Sequence, residues 1–374
     1  MELEKSSLPN PLLGGRFLSL AVANALLHVY VFSMIPLIAA AAQTIGAGAA
    51  TVGYAVLAFA AGMVLPGPLG AYMMERRSRK GVCLRSMLFL SILPVYEYNM
   101  TGTEATLVLF HGVQGLTFGI VQTALGTTLV NDVLPSRWRS PGDNFYAWAG
   151  RIGIPLGIAL GFLLQLLFPL PAAWLWSLLP CVVAFLLVAQ TEVPLKAPVK
   201  VPLLTLDRFV WPGSWRLSLT MFAAPWLLGR VVAAPIGLEA CLLLVGGTVL
   251  AFLWALLARE RFDRLPWFGY FSYALLLLAL CLPRVGVQPD FWPMFVLLGF
   301  GVGSLSARHL QLWIWQAEHC QRGTAQNTYM LSWRLSFAIG FAATACWGLS
   351  IGLFDVALCT LCFLFRWFFG RVGK

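Results

Sequence analysis

The sequence predicts an all-α membrane protein: twelve transmembrane helices in two pseudo-symmetric six-helix halves, with both termini cytoplasmic. Three observations predict it. The first is composition: of 374 residues, 59% are hydrophobic and only 11% charged, and the mean hydropathy is +0.80. A soluble chain of this length cannot hide that much apolar surface, whereas a bilayer accepts it. The second is an internal repeat. Arg139, Asn144, Tyr146, Arg151 and Gly157 recur 183 residues later as Arg322, Asn327, Tyr329, Arg334 and Gly340. Leu and Ala match by accident in apolar sequence; two Arg, an Asn and a Tyr in register do not. Parallel repeats of membrane helices mark two-halved transporters with the site between the halves. The third is the alternation of charge between successive loops.

The apolar runs, each near the ~17–25 residues a crossing needs, are placed in order. The first half has Phe17–Ala40, Val52–Met74, Val82–Tyr98, Ala105–Val130, Phe145–Leu167 and Ala172–Ala189. The second has Leu217–Pro235, Leu238–Ala258, Trp267–Pro283, Phe291–Ile314, Thr328–Leu349 and Phe354–Phe369. Cytoplasmic loops carry the excess of Lys and Arg. Arg76, Arg77, Arg79, Lys80 and Arg85 follow span 2, and Arg137 and Arg139 follow span 4. Lys196, Lys200 and Arg208 follow span 6; Arg259, Arg261 and Arg264 follow span 8; Arg322 follows span 10; Arg366, Arg371 and Lys374 close the chain. The alternate loops have almost none, Arg284 being the exception. One miscounted span would break this alternation. The net charge of +10 then reads as a bias toward an anionic inner leaflet rather than a nucleic-acid footprint.

The halves are expected at residues 1–190 and 215–374. Between them, residues 191–214 hold Pro194, Pro198, Pro202 and Pro212, a density that excludes a continuous helix and implies an extended cytoplasmic linker. The second half is about fourteen residues shorter between its first and second spans. Pro36–Thr51 has no counterpart of equal length, so the loss is expected in the external loop. No cleavable signal is apparent, since span 1 is too long for a signal core. Cys359 and Cys362 have no His or acidic neighbours, so they read as packing; no metal or cofactor is expected.

Glu75, Arg76, Arg79 and Lys80, at the end of span 2, resemble the loop 2–3 motif of the major facilitator superfamily, with Glu75 standing for its Asp. Ala71 and Ser78 depart from its two Gly positions. A weaker echo, Glu260-Arg261-Phe262-Asp263-Arg264, falls at the equivalent place in the second half. On span 4, His111-Gly112-Val113-Gln114-Gly115 resembles the family's Arg-x-x-Gln-Gly, with His in the Arg position. On span 5, Gly153-Ile-Pro155-Leu-Gly157, with Gly161, is similar to a relaxed antiporter motif; ordinary Gly-rich packing is the other reading. The resemblance implies the major facilitator fold and a cytoplasmic charge lock of Glu75, Arg76, Arg79, Lys80 and Asp132, or else a plain positive-inside anchor.

Ionisable residues within spans cost roughly 2.5–3.5 kcal/mol on insertion scales and need a reason. Asn24 and His28 lie four apart on span 1; His111, Gln114 and Gln122 share a side of span 4; Arg230 and Trp226 lie in span 7; Arg308 and Gln311 share a face of span 10 beside His309. Spans 1, 4, 7 and 10 line the cavity in the family this chain resembles. Substrate contacts are therefore expected from Asn24, His28, Gln114, Gln122, Trp226, Arg230, Arg308 and Gln311. Arg308 could equally snorkel to the interface, and Trp226 could simply pack. His28 and His111 are the candidates for proton coupling, because histidine titrates near physiological pH. Arg151 and Arg334, about two turns inside spans 5 and 11, can either reach the cavity or brace cytoplasmic carboxylates such as Asp132 or Glu318; bracing, as part of the cytoplasmic gate, is the expectation. Glu97 reads as an outer interface residue, Glu239 as solvated, and Trp313 and Trp315 as interfacial belt residues.

The expectation is a secondary transporter working by alternating access: proton-coupled export of a small, partly apolar molecule, or alternatively proton symport or facilitated uptake of a polar solute such as a sugar or organic acid. Gly246-Gly247-Thr248 lacks the Lys of a phosphate-binding loop, so ATP does not drive it. No nucleophile–base motif or paired catalytic carboxylates suggest an enzyme. The expected setting is a multi-pass protein of the cell membrane (the inner membrane in a Gram-negative bacterium). Lipid, substrate and protons are its partners, without nucleic acid, and a monomer is expected.

Overall fold

The computed structural model describes residues 10–99, 102–194, 200–205, 209–257, 267–282, 292–318 and 321–372; side chains at 97–99, 267–268 and 369–372 are not described. Among the described residues there is no strand, and the helices fall into twelve stretches. The first half contains α1 (Gly15–Thr44), α2 (Ala49–Val64, then Gly67–Arg76 after a bend of 48°), α3 (Arg79–Asn99), α4 (Glu104–Val133), α5 (Arg139–Leu167) and α6 (Leu170–Trp176 and Leu179–Gln190). The second contains α7 (Trp215–Met221 and Ala223–Ala233), α8 (Leu238–Leu257), α9 (Trp267–Cys281), α10 (Trp292–Gln316), α11 (Arg322–Ala345) and α12 (Leu353–Val372). Each expected span meets one of them. Five (α1, α4, α5, α6 and α8) are by themselves long and apolar enough to cross a membrane, and the bent α2 makes a sixth.

Proline sets the breaks. Pro68, Pro180 and Pro225 supply no N–H to the carbonyls of Val64, Trp176 and Met221, where the first pieces of α2, α6 and α7 end. Inside α4, residues Leu125–Leu129 form a π-helical turn, a local widening common beside functional sites.

Glycine sets the packing, and it does so alike in both halves. On α5, a Cβ at Gly157 would lie 2.5 Å from Val29 O of α1, and one at Gly161 would lie 2.4 Å from Ser33 O. On α11, a Cβ at Gly340 would lie 2.2 Å from Trp226 O of α7. The pair α2 and α4 closes at Gly62 against Gly112 O (2.1 Å), and α8 and α10 close at Gly247 against Val296 O (2.2 Å). The antiporter-like glycines of span 5 are thus accounted for by backbone-to-backbone contact with α1.

The two halves meet at both ends. At the end bearing Glu75 and Arg79, called the basic end below, Phe145 and Trp148 of α5 pack on Phe252 of α8, with ring centroids 5.9 and 5.5 Å apart. At the opposite end α2 presses on α11, where the Cys346 thiol donates to Ala50 O (3.4 Å). The described parts of the linker strap the basic end. Thr205 N–H donates to Pro68 O (3.0 Å), while Asn327 donates to Phe209 O (3.0 Å) and Trp211 N–H to Thr328 Oγ1 (2.9 Å).

Two expectations are corrected. The second half's missing residues do not come from a loop: residues 45–48 and 234–237 are equally short connections, and Pro36–Thr44 is helix. The loss is from α7, whose end opposite the basic one is shorter than that of α1. Trp313 is fully buried, not interfacial, because α10 runs on to Gln316 and the indole packs edge-on against Tyr329, centroids 5.3 Å apart. Trp315 is exposed as expected. Lys196, Arg208, Arg259, Glu260, Arg261, Asp263, Arg264, Arg284 and Lys374, and the side chains of Glu97 and Arg371, lie outside the described residues.

Candidate functional site: a central chamber shared by repeat mates

The basic end holds a vestibule of about 310 Å³ between α2, α4 and α5 of the first half and the start of α11. On its wall Arg79 bridges two carboxylates. Its Nη2 donates to Glu75 Oε1 (2.9 Å), and its Nη1 donates to both oxygens of Asp132 (2.9 and 2.8 Å). Glu75 and Arg79 are nearly buried, at 6% and 10% side-chain exposure. Charge-assisted bonds of this kind, away from water, hold more firmly than surface pairs. The cluster ties α2, α3 and α4 together within one half. Lys80 donates to Ala189 O (2.7 Å) and Thr191 O (2.8 Å), capping α6. Arg76 turns away over the Tyr72 ring, 5.2 Å from its centroid.

Deeper, between the halves, lies a chamber with only about 40 Å³ of free space, lined chiefly by α1, α5 and α11. That is room for a few waters and not for an organic molecule, so the centre is closed in this form. Arg151 and Arg334, the repeat mates, both reach it. Arg151 of α5 donates from Nε (3.2 Å) and Nη2 (3.0 Å) to the Tyr329 hydroxyl of α11, and from Nη2 to Ser306 O (3.3 Å). Its Nη1 is buried without a partner. Arg334 of α11 donates from Nη2 to His28 Nε2 of α1, and its Nη1 has only the thioether of Met63, at 3.8 Å. Each arginine therefore crosses to the other half. The expected bracing of Asp132 or Glu318 is not formed: two helical turns carry both guanidinium groups away from the vestibule carboxylates and into the centre. Among the described residues neither arginine forms an ion pair. Aromatic faces partly compensate. Arg151 stacks on Trp148 (5.1 Å) and Arg334 on Phe118 (4.9 Å).

A polar network orients these groups. Asn24 donates to Tyr146 O (2.8 Å), Gln122 donates to Asn24 Oδ1 (3.1 Å), and the Tyr146 hydroxyl donates to Gln122 Oε1 (3.4 Å). His28 Nδ1 lies 2.8 Å from Asn24 O. A carbonyl can only accept, so Nδ1 carries the proton and Nε2 accepts from Arg334. A second ring proton would point at the guanidinium and break that bond. Gln326, the repeat mate of Asp143, lines the chamber with its carbonyl oxygen unpartnered. A second, apolar chamber adjoins, lined by Phe32, Phe59, His111, Arg334 and Phe337 among others.

Of the expected substrate residues, Asn24, His28 and Gln122 lie in the centre. Gln114 does not: it donates to the Tyr30 hydroxyl (3.5 Å). Trp226 and Arg230 are committed elsewhere. Arg230 uses all five N–H groups, on Asp355 Oδ1 (3.1 Å) and Oδ2 (3.3 Å), Thr344 Oγ1 (3.0 Å), Leu349 O (2.7 Å) and Ser350 O (2.6 Å). Trp226 donates to the same Asp355 (2.9 Å). This is a staple joining α7, α11 and α12 at the end opposite the basic one, with no donor left for a ligand. Arg308 is buried; it donates to Gln311 Oε1 (3.2 Å) and lies over the Trp315 ring near the basic end, outside the central chamber. Tyr146, Tyr329, Gln326, Trp333 and Asp355 had not been singled out as site residues. The two tyrosines were visible as members of the repeat; an acid opening an apolar span was the signal for Asp355.

No family model matches the chain, and no curated protein matches it by sequence. Solved structures do. The chain superimposes on the human organic anion transporter MFSD10 (TETRAN) with a TM-score of 0.66 at 17% identity, covering 96% of this chain and 100% of that one. The nucleoside transporter NupG gives 0.63 at 13% identity, covering 94% and 97%. The chain shares its fold with these two transporters. At these identities the likeness concerns the fold; a shared fold hosts many substrates, and chemistry has to be argued from the chamber.

Proposed function

We propose that this chain is a secondary transporter that carries a small organic anion through the central chamber by alternating access, with a proton moving in the same direction. One observation carries the reading: two guanidinium groups, one from each half, are buried together, and among the described residues no carboxylate pairs with either. An uncompensated buried charge is costly, and a bound anion is the partner that removes the cost. An anion held by Arg151 of α5 and Arg334 of α11 would join the halves and drive their closure. The two similar structures support transport in general, and one of them is described as an organic anion transporter.

In this reading all twelve helices cross the membrane, the basic end and both termini are cytoplasmic, and residues 1–190 and 215–374 rock about the 191–214 linker. Of the two transport readings left by the sequence, the geometry favours proton symport of an organic acid over export. An anion that draws Arg334 away frees His28 Nε2, which can then take a proton; proton and anion enter together and leave together. His111 faces the apolar chamber and is not needed for that step. The Glu75–Arg79–Asp132 cluster acts at the vestibule as the lock.

The test is flux into proteoliposomes loaded at neutral pH. Uptake of labelled benzoate or acetate is expected to rise when the outside is made acidic. His28→Gln is expected to keep anion exchange at equal pH and lose the acceleration. Absence of saturable anion flux in the wild-type protein overturns the anion reading; an unchanged gradient response in His28→Gln overturns the coupling.

A further inference from the structure

Resting on the anion reading, we infer that the carried anion bears an aromatic ring, which is seated in the second chamber beyond Arg334. Arg334 is common to the two chambers, so a group that pairs with its guanidinium has the apolar chamber immediately beside it. The walls there are rings. Phe32 of α1 and Phe337 of α11 meet edge-to-face with centroids 5.5 Å apart, and Phe59 of α2 lies 5.8 Å from the His111 imidazole. Arg334 itself lies 5.5 Å from the centroid of Phe32. Edge and face contacts of this kind are what a flat aromatic group completes.

The apolar chamber holds only about 20 Å³ in this closed form. Its walls nevertheless come from opposite halves. Phe32, Phe59 and His111 belong to α1, α2 and α4, while Phe337 belongs to α11. Rocking that parts α2 from α11 widens the chamber along the same path that opens the centre. A ring bound there would keep the two walls apart until the anionic group had paired with Arg334. Once the halves part, the polar chamber alone would accept acetate or pyruvate; the apolar one selects among carboxylates by what lies behind the charged group. His111, nearly buried at 4% exposure, gives this chamber its polar wall.

The experiment measures thermal stabilisation of the purified full chain against concentration of acetate, pyruvate, benzoate and phenylacetate, giving an apparent affinity for each. Benzoate or phenylacetate is expected to bind about 30-fold more tightly than acetate, the factor expected for burying one ring. Phe59→Ala is expected to shrink that ratio to roughly threefold. If acetate and pyruvate stabilise as well as the aromatic acids, the inference fails and the anion reading stands. If none of the four stabilises the wild-type protein, the anion reading fails and takes the inference with it. Because the wild-type panel decides the first question, a poorly folded Phe59→Ala does not blunt the test; Phe337→Leu is the second variant.

Discussion

Helices α5 and α11 carry the same residues at the same spacing and yet do different work. Gly157 and Gly340 do the same thing: each lets its helix close on the backbone of the partner that opens its half, α1 or α7. Arg151 and Arg334 do not. Arg151 reaches across to a hydroxyl and a carbonyl, whereas Arg334 reaches across to a titratable imidazole. The cause is the residue just before each arginine. Where α11 has Trp333, which fills space and donates to Ser306 Oγ (3.0 Å), α5 has Gly150. A Cβ at Gly150 would lie 2.9 Å from His28 Cε1, so the small residue makes room for the imidazole. A duplicated scaffold keeps its glycines in register, and its binding chemistry diverges through single neighbours.

The largest effect is expected where the halves are alike. Leucine at Gly157 or at Gly340 places a side chain in a backbone seam, and each is expected to destabilise by ~3 kcal/mol or more. Thermal unfolding checks it, and tolerance of either variant would break the equivalence of the two seams. Next, Arg230→Gln leaves Asp355 buried without its partner and is expected to cost about 3–5 kcal/mol of stability. Arg151→Gln, which abandons no carboxylate, should leave unfolding nearly unchanged. Equal melting shifts would contradict the division between a stapling arginine and a binding one. Gln326→Glu gives the centre its own counter-anion, as Asp143 stands at the equivalent place in α5. It is expected to weaken benzoate uptake roughly 30-fold, by raising KM, with little loss of stability. The smallest effect is Glu75→Gln, where Arg79 keeps Asp132 as a partner. Insertion should be normal and transport slower by about threefold to tenfold; a normal rate would favour the anchor reading of this cluster.

The helices and their pairing were legible because composition, loop charge and small residues at fixed spacing are local signals. The spans from Phe17 to Phe369 each met a helix, and the repeat correctly singled out Gly157 and Gly340. Direction was not legible. The register that pairs Arg151 with Arg334 says that they share surroundings, but a long side chain near the end of a helix can reach toward solvent or toward the centre. Only the closed packing of α5 on α1 and of α11 on α7 decides for the centre. Arg230 was misread for a related reason: its partner Asp355 is 125 residues away, and nothing near Arg230 announces that its donors are already used. Of the polar residues on the spans expected to line a cavity, Asn24, His28 and Gln122 line the central chamber, whereas Gln114 and Arg230 lie outside it.

The central claim is that one anion is held by both repeat-mate arginines at once. Its most direct test is uptake of labelled benzoate by the wild type, Arg151→Gln, Arg334→Gln and the double variant, at matched amounts of folded protein. Each single change is expected to lower uptake about 100-fold, and the double variant should be hardly worse than either, since the groups act as a unit. Wild-type uptake in either single variant, or losses that simply multiply in the double one, would contradict the shared site.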